Sequence, residues 1–107
     1  MEIIDRNLVI HVNNEVDHLV AEQIREEFEK VCSKQNIKNV IFDMSKVEFM
    51  DSSGIGMIIG RYMKVKYIGG RVAVAGVSEG IDRIRRMSGV YKIISKYDSV
   101  SEALTWG

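Results

Sequence analysis

Two short apolar runs, Val40-Ile41-Phe42 and Val72-Ala73-Val74-Ala75, each stand between segments whose apolar residues recur at helical spacing. A run this short and this continuous offers apolar side chains to both sides, so the strand it forms must be covered on both faces. Strands that alternate with helices pair mainly in parallel, and the helices lie on the sheet as crossovers. The expected class is therefore α/β: a mixed, mainly parallel sheet of four to five strands covered by about four helices, in one domain spanning residues 1–107.

The remaining segments fit that frame. Glu2 to Val12 is rich in β-branched residues on either side of Asp5-Arg6-Asn7, which predicts a hairpin. A helix from about His18 to Gln35 has Asp17 at its capping position and Leu19, Ile24, Phe28, Val31 and Cys32 as its apolar stripe. Val47-Glu48-Phe49-Met50 reads as extended. Ile55, Ile58, Ile59, Tyr62, Met63 and Lys66 follow the i, i+3, i+4, i+7 pattern, and Gly69-Gly70 ends that helix. Ser78 should cap a short helix holding Ile81, Ile84 and Met87, ended by Ser88-Gly89. Tyr91-Lys92-Ile93-Ile94 is expected as the last strand, and Ser99 as the start of a final helix with Val100, Ala103 and Leu104.

Composition excludes several classes of function. Fifteen Lys and Arg balance fifteen Asp and Glu, so there is no basic field to neutralise a nucleic-acid backbone. Apolar residues make up 46% and charged residues 28%, as in soluble globular chains. No apolar run approaches the ~20 residues of a membrane span. One cysteine, Cys32, cannot form an internal disulfide, and without an N-terminal hydrophobic leader the chain is expected in the cytoplasm.

The run Phe49-Met50-Asp51-Ser52-Ser53-Gly54-Ile55-Gly56 joins an extended segment to the long second helix. The first N–H groups of a helix lack internal partners and carry partial positive charge. A serine here is either a cap for those groups or a hydroxyl presented to chemistry. One cap needs one hydroxyl, so two serines leave one spare. Gly54 and Gly56 each cost about 1 kcal/mol relative to alanine inside a helix, which asks for another reason. Gly60 follows Gly56 at i+4, so these two make a smooth strip on one helix face, either packed on the sheet or open as a docking face.

Nucleophilic chemistry would require a base within reach and an oxyanion hole. The histidines are only His11 and His18, and the turn is not a G-x-S-x-G elbow. No Gly-Lys-Ser/Thr phosphate loop occurs, and Gly54, Gly56 and Gly60 miss the G-x-G-x-x-G spacing. A metal site lacks a cysteine pair or two histidines at i, i+4. The chemistry left for the spare serine is to receive a phosphate, a group that a helix N-terminus stabilises.

From Phe49 through Gly56, on through Ile58-Ile59-Gly60-Arg61-Tyr62 to Ile68-Gly69-Gly70, the chain resembles the STAS-domain anti-sigma factor antagonists. It is most similar to the sporulation group that opposes the anti-sigma-F factor. Glu15-Val16-Asp17-His18 and Met87-Ser88-Gly89-Val90-Tyr91-Lys92-Ile93-Ile94 extend the resemblance over nearly the whole chain. Two departures are Asn14, where a glycine is usual, and Glu79, where a proline is usual. The resemblance implies a regulatory protein rather than an enzyme. Its unphosphorylated form binds an anti-sigma factor that is also a serine kinase, and so releases a sigma factor. That kinase phosphorylates Ser52 with its own ATP, and a serine phosphatase restores binding. Asp17, Asp51, Ser53, Gly54, Gly56, Met57 and Gly60 become candidate contacts to partner or nucleotide, with Ser53 as the structural cap. No metal, cofactor, nucleic acid or membrane is implied, and the free protein is expected to be a monomer. The alternative is a sensory STAS module that holds a nucleotide or other small ligand near Asp17 and Ser52.

Other residues have plainer readings. Asp43 is expected as a solvated strand-end carboxylate, and Arg83, Arg85 and Arg86 as a solvated helix face. Met44, Met50, Met57, Met63 and Met87 suit core filling, with Met57 set apart because it falls between Gly56 and Gly60. Trp106 should anchor a core or an edge, and Cys32 should be an inert buried thiol.

Overall fold

The computed structural model describes residues 1–106. The strands are β1 (Glu2–Ile4), β2 (Asn7–His11), β3 (Glu15–Val16), β4 (Asn39–Asp43), β5 (Phe49–Met50), β6 (Val72–Ala75) and β7 (Ser95–Tyr97). The helices are α1 (His18–Lys34), α2 (Ser52–Tyr67), α3 (Glu79–Asp82), α4 (Met87–Val90) and α5 (Val100–Ala103). The main sheet has the order β1-β2-β4-β6-β7, antiparallel only at the β1–β2 hairpin. The turn of that hairpin places Asp5 at φ 57°, a left-handed conformation that aspartate tolerates better than most side chains. The expected class, a mixed and mainly parallel α/β sheet, holds.

The two apolar runs form neighbouring strands near the centre of the sheet, and alternation along them divides two cores. Leu8, Ile10, Val40, Phe42, Val72 and Val74 face α1 and α2, with Ile24, Phe28, Ile55, Ile58 and Val65 packed on them. Val9, Ile41, Ala73 and Ala75 face the other way, where Ala103 of α5 covers them together with Tyr97, Leu104 and Trp106. Small alanines on that face let the single-turn α5 lie close. Trp106 is an edge anchor: its ring meets Tyr97 edge-on at 6.3 Å, and Arg71 donates to its carbonyl at 2.6 Å.

Three expectations need correction. Tyr91–Ile94 is not a strand. Ile94 N donates to Val90 O at 2.9 Å and Tyr91 N to Met87 O at 3.0 Å, so this backbone is spent on helical turns and the strand begins at Ser95. Met87, Val90 and Ile94 are all 0–1% exposed, at i, i+3 and i+7, which is a helical period. The helix expected after Ser78 is two single turns, and Ser88-Gly89 lies inside the second. Finally, Leu19 and Met63 are 64% and 66% exposed and Lys66 is exposed, so the apolar stripes of α1 and α2 are narrower than their sequences suggest. Ala21, Ile24 and Phe28 carry the buried face of α1.

Candidate functional site

The site is built from one local motif used twice. β3 and β5 form a two-stranded parallel sheet of their own, pairing Glu15 with Phe49 and Val16 with Met50. Each strand ends in an aspartate that caps a long helix. Asp17 Oδ1 accepts from Val20 N at 2.9 Å at the start of α1, and Asp51 Oδ1 accepts from Ser53 N at 2.8 Å at the start of α2. Asp51 N donates to Val16 O at 3.1 Å, tying one junction to the other. The register therefore brings Asp17 and Asp51 to neighbouring strand ends, and the N-termini of both long helices open on the same side.

Ser53 is not the cap. Both serines lie within the first turn of α2, and the carboxylate of Asp51 already satisfies the free N–H. Among the described residues neither hydroxyl has a hydrogen-bond partner. Ser52 is exposed and Ser53 half-buried. A hydroxyl that neither caps nor bonds is free to be a substrate.

The three glycines divide into two kinds. A Cβ on Gly54 would stand 2.3 Å from Met50 Cγ and 3.0 Å from Val16 Cγ1, so this glycine lets α2 press onto the β3–β5 pair. It is buried and belongs to the packing rather than to a docking surface. Gly56 and Gly60 would place a Cβ in open space. Ser52, Gly56, Gly60, Met63 and Tyr67 recur at helical spacing along one outward face of α2, and Met63 and Tyr67 are 66% and 92% exposed. Met57, expected beside this strip, points inward and is 7% exposed, because 57 falls on the core side with Ile58.

Two concavities flank the face. A crevice of about 240 Å³ between α1 and α2 is lined by His18, Glu22, Arg25, Ser53, Gly56, Met57 and Arg61. Within it Arg25 Nε donates to Glu22 Oε2 at 2.8 Å, which holds the Glu22 carboxyl below its usual range. Arg61 lies over the Phe28 ring at 5.3 Å, its Nε and Nη1 have no hydrogen-bond partner among the described residues, and burial lowers its affinity for the proton. On the other side a groove of about 770 Å³ runs between Ser52, Ile55, Gly56 and Ile59 of α2 and Arg85, Arg86, Ser88, Gly89 and Val90. Arg85 and Arg86 are solvated, as expected, but they also line the groove that Ser52 borders, an adjacency that linear sequence does not reveal. Arg83 stands apart, 3.9 Å from Glu79.

A polar cluster at the ends of β2 and β4 lies outside this region. The β2–β4 register sets His11 opposite Asp43, and the imidazole bonds Asp43 Oδ2 at 2.8 Å and Glu2 Oε1 at 3.0 Å. The Glu2 and Asp43 bonds raise the pKa of His11. Burial works to raise that of Asp43, but bonds from Ser45 and His11 outweigh it and leave it lowered. Asp43 is thus a bonded, half-buried carboxylate rather than a free one. Cys32 is half-buried, and burial raises its thiol pKa, so it stays protonated near neutral pH. Among the described residues no helix is long and apolar enough to cross a membrane.

Comparison with known proteins agrees with this architecture. The STAS domain family matches residues 1–103. An anti-sigma F factor antagonist of Paenibacillus polymyxa is 33% identical over 98 residues, covering 92% of this chain and 84% of that protein. An anti-sigma-B factor antagonist of Listeria monocytogenes is 28% identical over 85 residues, 79% of this chain and 74% of that protein. Among solved structures, the anti-sigma factor antagonist SpoIIAA in its unphosphorylated form superposes with a TM-score of 0.82 at 27% identity, covering 96% of this chain and 90% of that one. The phosphorylated form of Bacillus SpoIIAA gives 0.76 at 25% identity, covering 97% and 93%. The paired strand–Asp–helix junctions, the unbonded serine and these matches over nearly the full length lead to one assignment: the chain is a STAS domain and belongs to the family of anti-sigma factor antagonists.

Proposed function

We propose that this chain is an anti-anti-sigma factor switched at Ser52. In this reading the unphosphorylated form binds an anti-sigma factor that is also a serine kinase, and a sigma factor is released. The kinase transfers a phosphoryl group from its own ATP to Ser52, which ends the association, and a serine phosphatase restores it. The protein acts in the cytoplasm as a monomer, performs no catalysis and holds no cofactor of its own. It supplies the hydroxyl, while nucleotide, magnesium and base come from the kinase.

One observation carries the reading: Ser52 offers an exposed, unbonded hydroxyl at the head of a helix face smoothed by Gly56 and Gly60, while Asp51 does the capping. A phosphate there would add about −1.5 to −2 charge at the edge of a docking face without touching the core. The likeness to both the unphosphorylated and the phosphorylated form of SpoIIAA supports a switch that leaves the fold in place. Incubation with the cognate kinase and ATP should add one phosphate by intact mass, absent in Ser52→Ala. Equal phosphorylation of Ser52→Ala would overturn the assignment.

A further inference from the structure

We propose that the groove beside Ser52 is a receptor for the phosphate that Ser52 carries, with Arg85 and Arg86 as its cationic wall. The proposal rests on Ser52 being phosphorylated, as argued above. It assigns these two arginines a role in cis: they take the modified side chain out of solvent and lay it across the first turns of α2.

The charge arrangement is the main support. Of the three arginines on this segment, Arg83 has a carboxylate within 4.0 Å. Among the described residues Arg85 and Arg86 have none, and no acid lines the groove they share with Ser52. Among the described residues, Arg85 and Arg86 are the only ionisable residues that line it with Ser52. Asp51, the nearest acid in sequence, has its carboxylate committed to Ser53 N. A guanidinium offers a planar fork that fits phosphate oxygens two at a time, and a phosphoserine supplies three strong acceptors.

The wall is also held in position. Ile81, Met87 and Val90, on either side of the arginines, are 0–1% exposed. Tyr91 donates to Asp82 Oδ1 at 2.5 Å, and Lys96 reaches both oxygens of that carboxylate at 3.1 Å, which pins the α3–α4 segment to β7. Ser88 Oγ donates to Arg85 O at 2.9 Å. The backbone bearing the arginines is thus fixed, while among the described residues their exposed side chains have no ion-pair partner. Gly56 and Gly89, from opposite sides of the groove, have open space where a Cβ would stand, which leaves room between them for a side chain. In the phosphorylated protein the arginines cover Gly56 and Ile59, so the docking face loses access as well as gaining charge.

The test uses phosphoserine encoded directly at position 52, so it needs no kinase. Titration by phosphorus NMR reads the second ionisation of the phosphate in the wild-type background, in R85A/R86A, in R85K/R86K and in R83A. Removing both arginines should raise that pKa by about half a unit or more, the screened end of the range for a facing counter-charge. The lysine pair should restore part of the shift, and R83A, outside the groove, should match the wild-type background. Superimposed titrations of the wild-type background and R85A/R86A would overturn the proposal, as would an equal shift in R83A. If the alanine pair fails to fold, judged by circular dichroism, the lysine pair decides: a titration unchanged at both low and high salt refutes the clamp. A phosphoprotein that titrates as expected yet still binds the kinase refutes the switch and leaves the groove. Superimposed titrations with lost binding refute the groove and leave the switch.

Discussion

Gly54 and Gly56 lie two residues apart in the same helix, and alanine at each should move stability in opposite directions. An alanine methyl at 54 would meet Met50 Cγ at 2.3 Å, Met50 Sδ at 2.7 Å and Val16 Cγ1 at 3.0 Å. Met50 is 5% exposed and Val16 is fully buried, so neither side chain has space to withdraw. Overpacking of this kind costs ~1–3 kcal/mol, and contact with the middle of the methionine rather than its tip places it in the upper half. Helix propensity returns about 1 kcal/mol on replacing glycine. The net for Gly54→Ala is a loss of roughly 1–2 kcal/mol. At 56 the methyl meets nothing within 4 Å, so only the propensity gain remains, about 0.5–1 kcal/mol. For a domain of this size each kcal/mol moves Tm by roughly 4 °C. Thermal melts followed by circular dichroism should therefore place Gly54→Ala some 4–8 °C below wild type and Gly56→Ala about 2–4 °C above it. The second half of the experiment is binding. If Gly56 is there for docking, Gly56→Ala should hold the kinase less tightly while being the more stable protein, a pairing that general loss of structure cannot produce. Gly54→Ala melting at or above wild type would refute the packing account, and Gly56→Ala with undiminished affinity would refute the docking account.

Ser52→Asp should weaken association with the kinase while the circular dichroism spectrum stays that of wild type; equal affinity for both would count against a charge switch. Asp51→Ala should cost about 1 kcal/mol by removing the cap of α2, measurable by urea denaturation, whereas Ser53→Ala should change little because Ser53 caps nothing. Gly70→Ala should lose about 3 kcal/mol or more, since its methyl would stand 1.7 Å from the carbonyl oxygen of Lys38 and a backbone atom cannot give way; a near-native melt would refute this packing account. His11 has a raised folded pKa, so its contribution is complete below its ordinary value of 6.5 and is lost as pH rises through the raised one. Asp43 is lowered, so its contribution is complete above 3.8 and is lost as pH falls through the lower folded value. The imidazole is half exposed, which keeps the effect on the order of 0.5 kcal/mol. His11→Gln should remove the loss above pH 6.5 in a Tm-against-pH profile, and its persistence would show that another group is responsible.

The parts of the fold that were legible in the sequence are those where one physical signal acts alone. Val40-Ile41-Phe42 and Val72–Ala75 are apolar in succession because both faces of their strands are covered. Asp17 reads as a cap because an aspartate ahead of an amphipathic run has one strong local use. Where two signals competed, the reading failed. Tyr91–Ile94 has the β-branched content of a strand, but its buried positions follow Met87 and Val90 at helical spacing, and the core contacts decide. Asp51 and the two serines are all good caps, and only the folded geometry gives the role to the carboxylate. Met57 looked special from its glycine neighbours, although the 3.6-residue period already sends 57 and 58 inward together.

What sequence could not supply was adjacency between segments far apart in the chain. The β3–β5 pair is two residues per strand, too short to register as a pattern, yet it brings Asp17 and Asp51 to one place. The usable signal was repetition: Val16-Asp17 and Met50-Asp51 are the same hydrophobe–aspartate step, each followed by a helix of sixteen or seventeen residues. Pairing those steps in parallel has a consequence for function. Two helix N-termini opening side by side concentrate partial positive charge, and each is partly met by its own capping carboxylate. A phosphate at Ser52 enters a place already balanced between donors and acids, so its arrival should disturb the electrostatics of the surface more than the stability of either helix. For Ser52 to take a phosphate without refolding the chain, it must lie outside the core and leave the cap to a different side chain. The division of labour between Asp51 and Ser52 meets both requirements.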